Sequence, residues 1–211
     1  MGANDGIVST ASLIVGVAAA NAGRMEILLA GVAGLAAGAF SMAAGEYVSV
    51  SSQADMERAD LKLEQAALAA QPDEEEDELT AIYERRGLEP ELARTVAQRL
   101  MAHDALGAHA RDELGLSDVL SAHPMTAALA SAATFAVGGA IPIVTVLLLP
   151  GTAIELPVGI VALVCLAAMG ALAARAGGAP AWIGALRVTF WSTIAMLATF
   201  GVGKLFGTTV G

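Results

Sequence analysis

The sequence predicts an all-α membrane protein in which five transmembrane helices carry a three-helix cytosolic domain, inserted between helices two and three. Three observations lead to this class. The 211 residues are 56% hydrophobic and only 15% charged, whereas a soluble domain is about 45–50% apolar and about 25% charged. The apolar residues lie in five long runs, and 17 of the 21 acidic residues are concentrated in residues 50–123.

The apolar runs each have close to the roughly 20 residues that a helix needs to cross a bilayer core. Backbone polar groups inside lipid must be satisfied within the protein, which makes helices the only sensible structure for these runs. The alternative, a large core of a soluble helical protein, would require a much larger polar coat. The runs cover residues 3–22, 27–49, 125–149, 154–176 and 182–206.

The first run begins at residue 3, close to the start of the chain, and has no basic flank. It also contains Asn4 and Asp5, so it does not resemble a cleaved signal peptide. Either the first helix is short or the natural beginning of the chain is missing, and we expect the second.

The basic residues predict the orientation, because cytoplasmic loops are enriched in Lys and Arg. Nine of the 11 basic residues share one side of the membrane if the insert faces the cytoplasm. The N-terminus then lies inside and the C-terminus outside. The predicted domains are transmembrane helices 1 and 2 at 1–49, an acidic cytosolic domain at 50–123, and transmembrane helices 3 to 5 at 124–211.

The insert has clear helix boundaries. The second span continues without Gly or Pro through 50–70. Pro72 suits the first turn of a second helix, which Gly87 ends. Pro90 begins a third helix, for which we predict a break near Gly107.

Acidic pairs on the three insert helices are candidate metal ligands. Residues three or four apart share one face of a helix, and carboxylate-rich faces with a histidine bind divalent transition metals in helix bundles. A solvated acidic face is the alternative for 73–78, since six consecutive acids point all round a helix. The pairs are Glu57 and Asp60, Glu75 and Glu78, and His109 and Glu113.

A second set of candidates lies inside the predicted spans. Asp5 is in the first span, and Glu46 follows Met42 by one turn in the second. An ionisable group at membrane depth is a functional-site candidate, and a thioether beside carboxylates suits a transition ion better than Mg²⁺ or Ca²⁺. The alternatives are that Met42 fills the core, Glu46 lies at the interface, and Asp5 is at an exposed terminus.

Several classes of function are disfavoured. The net charge of −10 argues against nucleic acid as the main partner. The sequence has no P-loop, dinucleotide or hydrolase motif, which argues against an ATP-driven pump. A di-iron enzyme would favour a Glu-x-x-His pair on each of two helices, and none of the three histidines has a carboxylate three residues before it.

Four segments resemble the vacuolar iron transporter family. They are GANDGIVSTASLIVGVAAA (2–20), AGAFSMAAGEYVSVSSQADMERAD (37–60), ELTAIYERRGL (78–88) and DELGL (112–116). The resemblance spans nearly the whole chain, and DGIVST and SMxxGEYVS are fairly specific to the family. It implies a homodimer of five-span subunits with a cytosolic three-helix metal-binding domain. It also implies export of Fe²⁺, and in some members Mn²⁺, from the cytosol in exchange for protons.

The resemblance also implies roles for individual residues. Asp60 stands where a Glu is usual, and His109 occupies a position that can be Met. The intramembrane metal pair would be Asp5 and Met42, and the cytosolic cluster would include Glu57, Glu75, Glu78 and Glu113.

We therefore predict a transporter in the lipid bilayer and not an enzyme. The divalent metal is its substrate, no prosthetic group is expected, and carboxylates such as Glu46 would take up returning protons. The alternative is a membrane-anchored metal buffer or sensor, whose insert binds metal while the spans only tether it.

Overall fold

The computed structural model describes residues 2–116, 123–149 and 153–209. Across these residues every element is a helix, which confirms the all-α class. In chain order the helices are α1 (Gly2–Ala19), α2 (Arg24–Ala70), α3 (Pro72–Arg85), α4 (Pro90–Asp112), α5 (Pro124–Leu148), α6 (Glu155–Ala176) and α7 (Ala181–Thr209).

Five of these helices are long and apolar enough to cross a membrane: α1, α2, α5, α6 and α7. Each coincides with one predicted apolar run. α1 ends at Ala19, three residues before the predicted end of its run. The run 27–49 forms only the first half of α2, whose 47 residues continue to Ala70.

The chain divides into two compact units, residues 1–47 with 125–211 and residues 48–124. We call them the membrane unit and the insert unit. α1 lies at the centre of the membrane unit, where Ile7, Ala11 and Ile14 are fully buried. Its glycines bring backbones into contact: a Cβ at Gly6 would collide with the carbonyl oxygen of Phe135 on α5.

The same close approach joins α1 to α7. A Cβ at Gly203 would collide with the carbonyl oxygen of Gly16, and one at Gly207 would lie 2.9 Å from the Cα of Ala20. Small residues at helix interfaces allow this backbone contact in membranes. α1 therefore packs on two neighbours with almost no side-chain layer between them.

Arg24 connects the start of α2 to the end of α5. Its guanidinium donates hydrogen bonds to the carbonyl oxygens of Leu149 at 2.7 Å, Leu147 at 3.2 Å and Val146. The last carbonyls of a helix have no partner within the helix and carry its negative dipole end. One cation therefore satisfies several exposed acceptors of α5.

In the insert unit, α3 and α4 begin at the predicted Pro residues, and α3 is ended by the predicted Gly. Pro72 and Pro90 occupy the first positions of α3 and α4, and Gly87 ends the first of these with a φ of +97°, which glycine adopts readily. The helices pack through a small apolar core that includes the fully buried Leu79 and Ala97.

α4 has a break near Gly107, as predicted. The break lies at Asp104, with φ −160° and ψ 90°. The Asp104 carboxylate accepts a hydrogen bond from the backbone N–H of Gly107 at 3.0 Å, as an N-cap residue does. The second segment of α4 thus starts at its own cap, three residues before the glycine.

Candidate metal centre

Three helices of the insert unit bring four metal-ligand side chains together. Glu64 comes from α2, Glu75 from α3, and His109 and Glu113 from α4, and one ligand atom of each lies within 4.8 Å of all the others. Carboxylate oxygens and an imidazole nitrogen are the usual ligands of divalent transition ions. We call these four residues the Glu64 cluster.

The distances within the Glu64 cluster suit a single ion. His109 Nδ1 lies 2.9 Å from Glu64 Oε1, 2.9 Å from Glu113 Oε2 and 3.7 Å from Glu75 Oε2. Two ligands each about 2.1 Å from one ion are separated by about 3.0–3.4 Å at the usual bond angles. A small adjustment of the side chains would therefore place all four around one ion.

Burial makes this cluster chemically unusual. His109 is fully buried, and Glu64 and Glu75 are each only 8% exposed. Although Glu64 Oε1 is close to the imidazole, neither it nor His109 Nε2 makes a hydrogen bond with the described residues. Buried polar atoms in proteins normally have a partner, and a metal ion would supply one for the carboxylate.

The electrostatics of the Glu64 cluster also favour a bound cation. Burial, followed by the negative charge of Glu113, raises the pKa of Glu64 above its usual value, and Glu75 and Glu78 act in the same direction. The raised pKa means that the ionised cluster is electrostatically unfavourable on its own. A divalent cation at the centre would compensate for the repulsion between the carboxylates.

Each ligand is held by the packing of its own helix. Glu64 lies between Leu61 and Leu68 on the inward face of α2, and both leucines are half-buried. Glu75 precedes the fully buried Leu79 by one turn. His109 belongs to the segment of α4 after the break, and its Nδ1 shares a 2.9 Å hydrogen bond with Glu113 one turn later.

Asp112 anchors the segment of α4 that carries two of the ligands. Its carboxylate accepts hydrogen bonds from Tyr83 at 2.8 Å, Arg86 at 2.6 Å and Arg111 at 2.9 Å. Burial alone would raise the pKa of Asp112, but these hydrogen bonds, led by that from Arg86, outweigh it and lower the pKa. The end of α4 is thereby fixed to the end of α3.

The structure brings three of the predicted cytosolic ligands together, namely Glu75, His109 and Glu113. The other three lie outside the cluster. Glu57 is half-buried and accepts a hydrogen bond from Gln53 at 3.0 Å, whereas Asp60 and Glu78 are exposed.

Sequence reasoning missed Glu64. The signal that identifies it is its position three residues after Leu61 and four before Leu68, the spacing of one helix face. Those leucines predict an inward stripe on α2 that contains Glu64. In the structure Asp60, one turn before Glu64, is exposed.

The predicted intramembrane residues lie on the first two helices of the membrane unit. In a single copy of the chain Asp5 is exposed, and Met42 and Glu46 are half-buried. Within the described residues, neither acid belongs to a group of three or more His, Cys, Asp or Glu ligands. Their role in metal binding stays a prediction.

A five-span helical membrane protein with a carboxylate and imidazole cluster, in which Glu64, Glu75 and His109 are buried and Glu113 is exposed, has the features of a metal-ion transporter. The model of the VIT family matches residues 1–204, and the chain belongs to this family. Its members are transporters and not enzymes.

Relatives of the chain match it over nearly its whole length. A vacuolar iron transporter from Acanthamoeba castellanii is 46% identical, over 97% of this chain and 76% of the relative. Vacuolar iron transporter homolog 1 from rice is 36% identical, over 98% and 72%. Vacuolar iron transporter homolog 2 from Arabidopsis thaliana is 33% identical, over 98% and 82%. These similarities support metal-ion transport by an integral membrane protein.

Proposed function

We propose that this protein exports Fe²⁺, or a similar divalent transition ion such as Mn²⁺, from the cytosol in exchange for protons. The observation that carries the proposal is the Glu64 cluster, in which buried carboxylates and an imidazole converge without enough partners of their own. Membership of a family of transporters makes transport, rather than storage or sensing, the role that best fits such a cluster.

The first step is capture of the ion by the insert unit, which we place in the cytosol. Residues 50–123 contain 17 acidic and seven basic residues, a net charge of −10. A negative potential of this kind raises the local concentration of cations. The Glu64 cluster then offers the ion a defined site within the acidic surroundings.

The ligand set supports a transition ion as the cargo. An imidazole nitrogen among carboxylate oxygens suits Fe²⁺ and Mn²⁺ better than Ca²⁺, which takes six to eight oxygen ligands. Mg²⁺ keeps several of its waters, and the buried environment of His109 and Glu64 is poorly suited to a heavily hydrated ion.

The second step is passage through the membrane unit by way of Asp5 and Met42. Ionisable groups in spans face a bundle interior or a cavity and not lipid, yet Asp5 is exposed in a single copy. A homodimer in which α1 and α2 of the two copies face each other would cover it. Glu46, half-buried on α2, would then exchange a proton against the metal.

The deciding experiment is uptake of Fe²⁺ into proteoliposomes that contain the full chain, under an imposed pH gradient. We expect gradient-dependent uptake, and we expect its loss in the combined Asp5→Ala, Met42→Ala variant while metal binding is retained. Met25→Ala is the matched control, because Met25 is a 77% exposed methionine on the same helix as Met42.

Two outcomes would contradict the proposal. Equal flux in the wild type and the combined variant would exclude the route through Asp5 and Met42. Metal binding by the wild type with no flux under any gradient would favour the buffer or sensor instead.

A further inference from the structure

The break at Asp104 divides α4 into two parts, which we call the first segment (90–103) and the second segment (105–112). Both segments contribute to the small apolar core that α4 shares with α3. The second segment carries one ligand of the Glu64 cluster, His109, and another ligand, Glu113, follows it directly. The direction of the second segment therefore decides where both ligands of α4 lie.

The hydrogen bonds of Asp112 show that this direction is reversed. A straight helix of the 23 residues of α4 would be about 35 Å long, with Asp112 at its far end. Yet Asp112 accepts hydrogen bonds from Tyr83 at 2.8 Å and from Arg86 at 2.6 Å. Arg86 comes four residues before Pro90 and lies at most about 14 Å from it. The remaining distance is too long for two side chains to span, so the second segment folds back toward the start of α4.

Asp104 and Gly107 together build this reversal. Asp104 has an extended backbone, and its carboxylate accepts a hydrogen bond from the backbone N–H of Gly107 at 3.0 Å. The carboxylate lies against the Cα of Gly107, because a Cβ built on that glycine would collide with it. The glycine thus leaves room for the carboxylate, which caps the start of a helix in the new direction.

We propose that Asp104 is a positioning residue of the metal centre, whose cap turns the second segment back so that both ligands of α4 meet those of α2 and α3. This inference rests on the proposed function, in which the Glu64 cluster binds the transported ion. Asp104→Ala removes the cap and introduces the residue with the highest helix propensity. It therefore favours an uninterrupted α4.

An uninterrupted α4 would take both ligands away from the cluster. The first segment is fixed on α3 by the fully buried Ala97. In a continuous helix, His109 would lie about 120° and Glu113 about 160° round the axis from Ala97. Glu75 on α3 belongs to the same cluster, so a Glu113 on the opposite side of α4 could not join it.

The test uses the full chain in detergent, with Mn²⁺ as the probe. Calorimetry measures the affinity, and pulsed electron paramagnetic resonance detects the nitrogen coupling of an imidazole bound to Mn²⁺. We expect Asp104→Ala to weaken binding by about 10–100-fold, the usual loss when a residue that orients a ligand is replaced, and the Mn²⁺ that still binds to lose its nitrogen coupling. Asp104→Asn should keep the coupling and an affinity within about threefold of the wild type, because Asn caps a helix as well as Asp does.

Two further variants separate the position of His109 from the strength of the site. Gly107→Ala should have the same effects as Asp104→Ala, because its methyl group displaces the Asp104 carboxylate. It keeps the test decisive if Asp104→Ala does not fold. Glu64→Gln should lose affinity but keep the nitrogen coupling, because it removes a ligand of α2 and leaves His109 in place.

Three outcomes would overturn the positioning role while leaving the metal centre intact. They are unchanged Mn²⁺ affinity in Asp104→Ala, weakened binding that keeps its nitrogen coupling in that variant, and an equal loss in Asp104→Asn. A wild-type protein that binds no Mn²⁺, or binds it without nitrogen coupling, would instead contradict the Glu64 cluster itself, and with it both the proposed function and this inference.

Discussion

Replacing Glu64 by Gln tests the metal centre at the ligand that the sequence analysis did not predict and that the structure places in the cluster. Glu64 is a buried member of the cluster, whereas Asp60, one turn earlier on α2, is exposed. The variants Glu64→Gln and Asp60→Asn remove the same charge from the same helix. They therefore separate loss of a ligand from loss of general negative potential.

The expected magnitude follows from the geometry. Glu64 supplies one of four ligand atoms, and even residues that only orient a ligand cost 10–100-fold in metal affinity when mutated. We therefore expect Glu64→Gln to weaken binding by on the order of 100-fold. Asp60→Asn should weaken it less than about fivefold, because interactions of exposed charges are small.

The loss of metal affinity in Glu64→Gln should also reduce the stabilisation of the folded protein by the bound ion. An ion at 100 times its dissociation constant stabilises the folded protein by about 2.7 kcal/mol, and a site weakened 100-fold retains about 0.4 kcal/mol at that concentration. Without metal, Glu64→Gln should melt no lower than the wild type, because burial and neighbouring charges already raise the pKa of Glu64. A normal metal-free melt excludes misfolding as the cause.

Calorimetry with Mn²⁺ on the full chain in detergent measures the metal affinity. Thermal melts with and without the ion measure the stabilisation by the metal. If Asp60→Asn weakens binding as much as Glu64→Gln, the Glu64 cluster is not the site.

Two further predictions concern packing. Asp112→Ala removes the acceptor of three hydrogen bonds. It should destabilise the insert unit by about 1–3 kcal/mol, measured by hydrogen exchange, and weaken Mn²⁺ binding. Asp55→Ala, at an exposed ion pair, should change neither quantity, and equal effects of the two variants would refute the anchoring role of Asp112. Gly6→Ala places a methyl group against the backbone of α5 and should lower the stability of the folded protein by about 1–3 kcal/mol, measured by thermal melts. Gly45→Ala, where a Cβ meets open space, should leave the stability unchanged or raise it. Unchanged stability of Gly6→Ala would contradict the close packing of α1 on α5.

The helices were predictable because their signals are local. Each apolar run has the length of a span, and Pro72, Gly87 and Pro90 act through their own backbone stereochemistry. The break in α4 was predicted near Gly107, the conspicuous helix breaker, and it lies three residues before that glycine. The side chain that caps the second segment of α4 belongs to Asp104. An aspartate within a polar helix does not by itself indicate a break.

The metal centre was only partly predictable. Glu75, His109 and Glu113 share their faces with neighbours at helical spacing, which sequence alone reveals. Glu64 comes from a different helix, and its burial depends on how α2 meets the other helices of the insert unit. The pair Glu57 and Asp60 had the more obvious spacing, but Glu64 is the acid of α2 that belongs to the cluster.

The glycine contacts of α1 have a mechanical consequence. Where two backbones touch, as at Gly6 with Phe135 and at Gly16 with Gly203, no flexible side chain can absorb a shift, and sliding by a fraction of a helical turn would produce collisions. We therefore expect α1, α5 and α7 to travel as one rigid block whenever the transporter changes conformation. Alternating access would then require hinges outside this block.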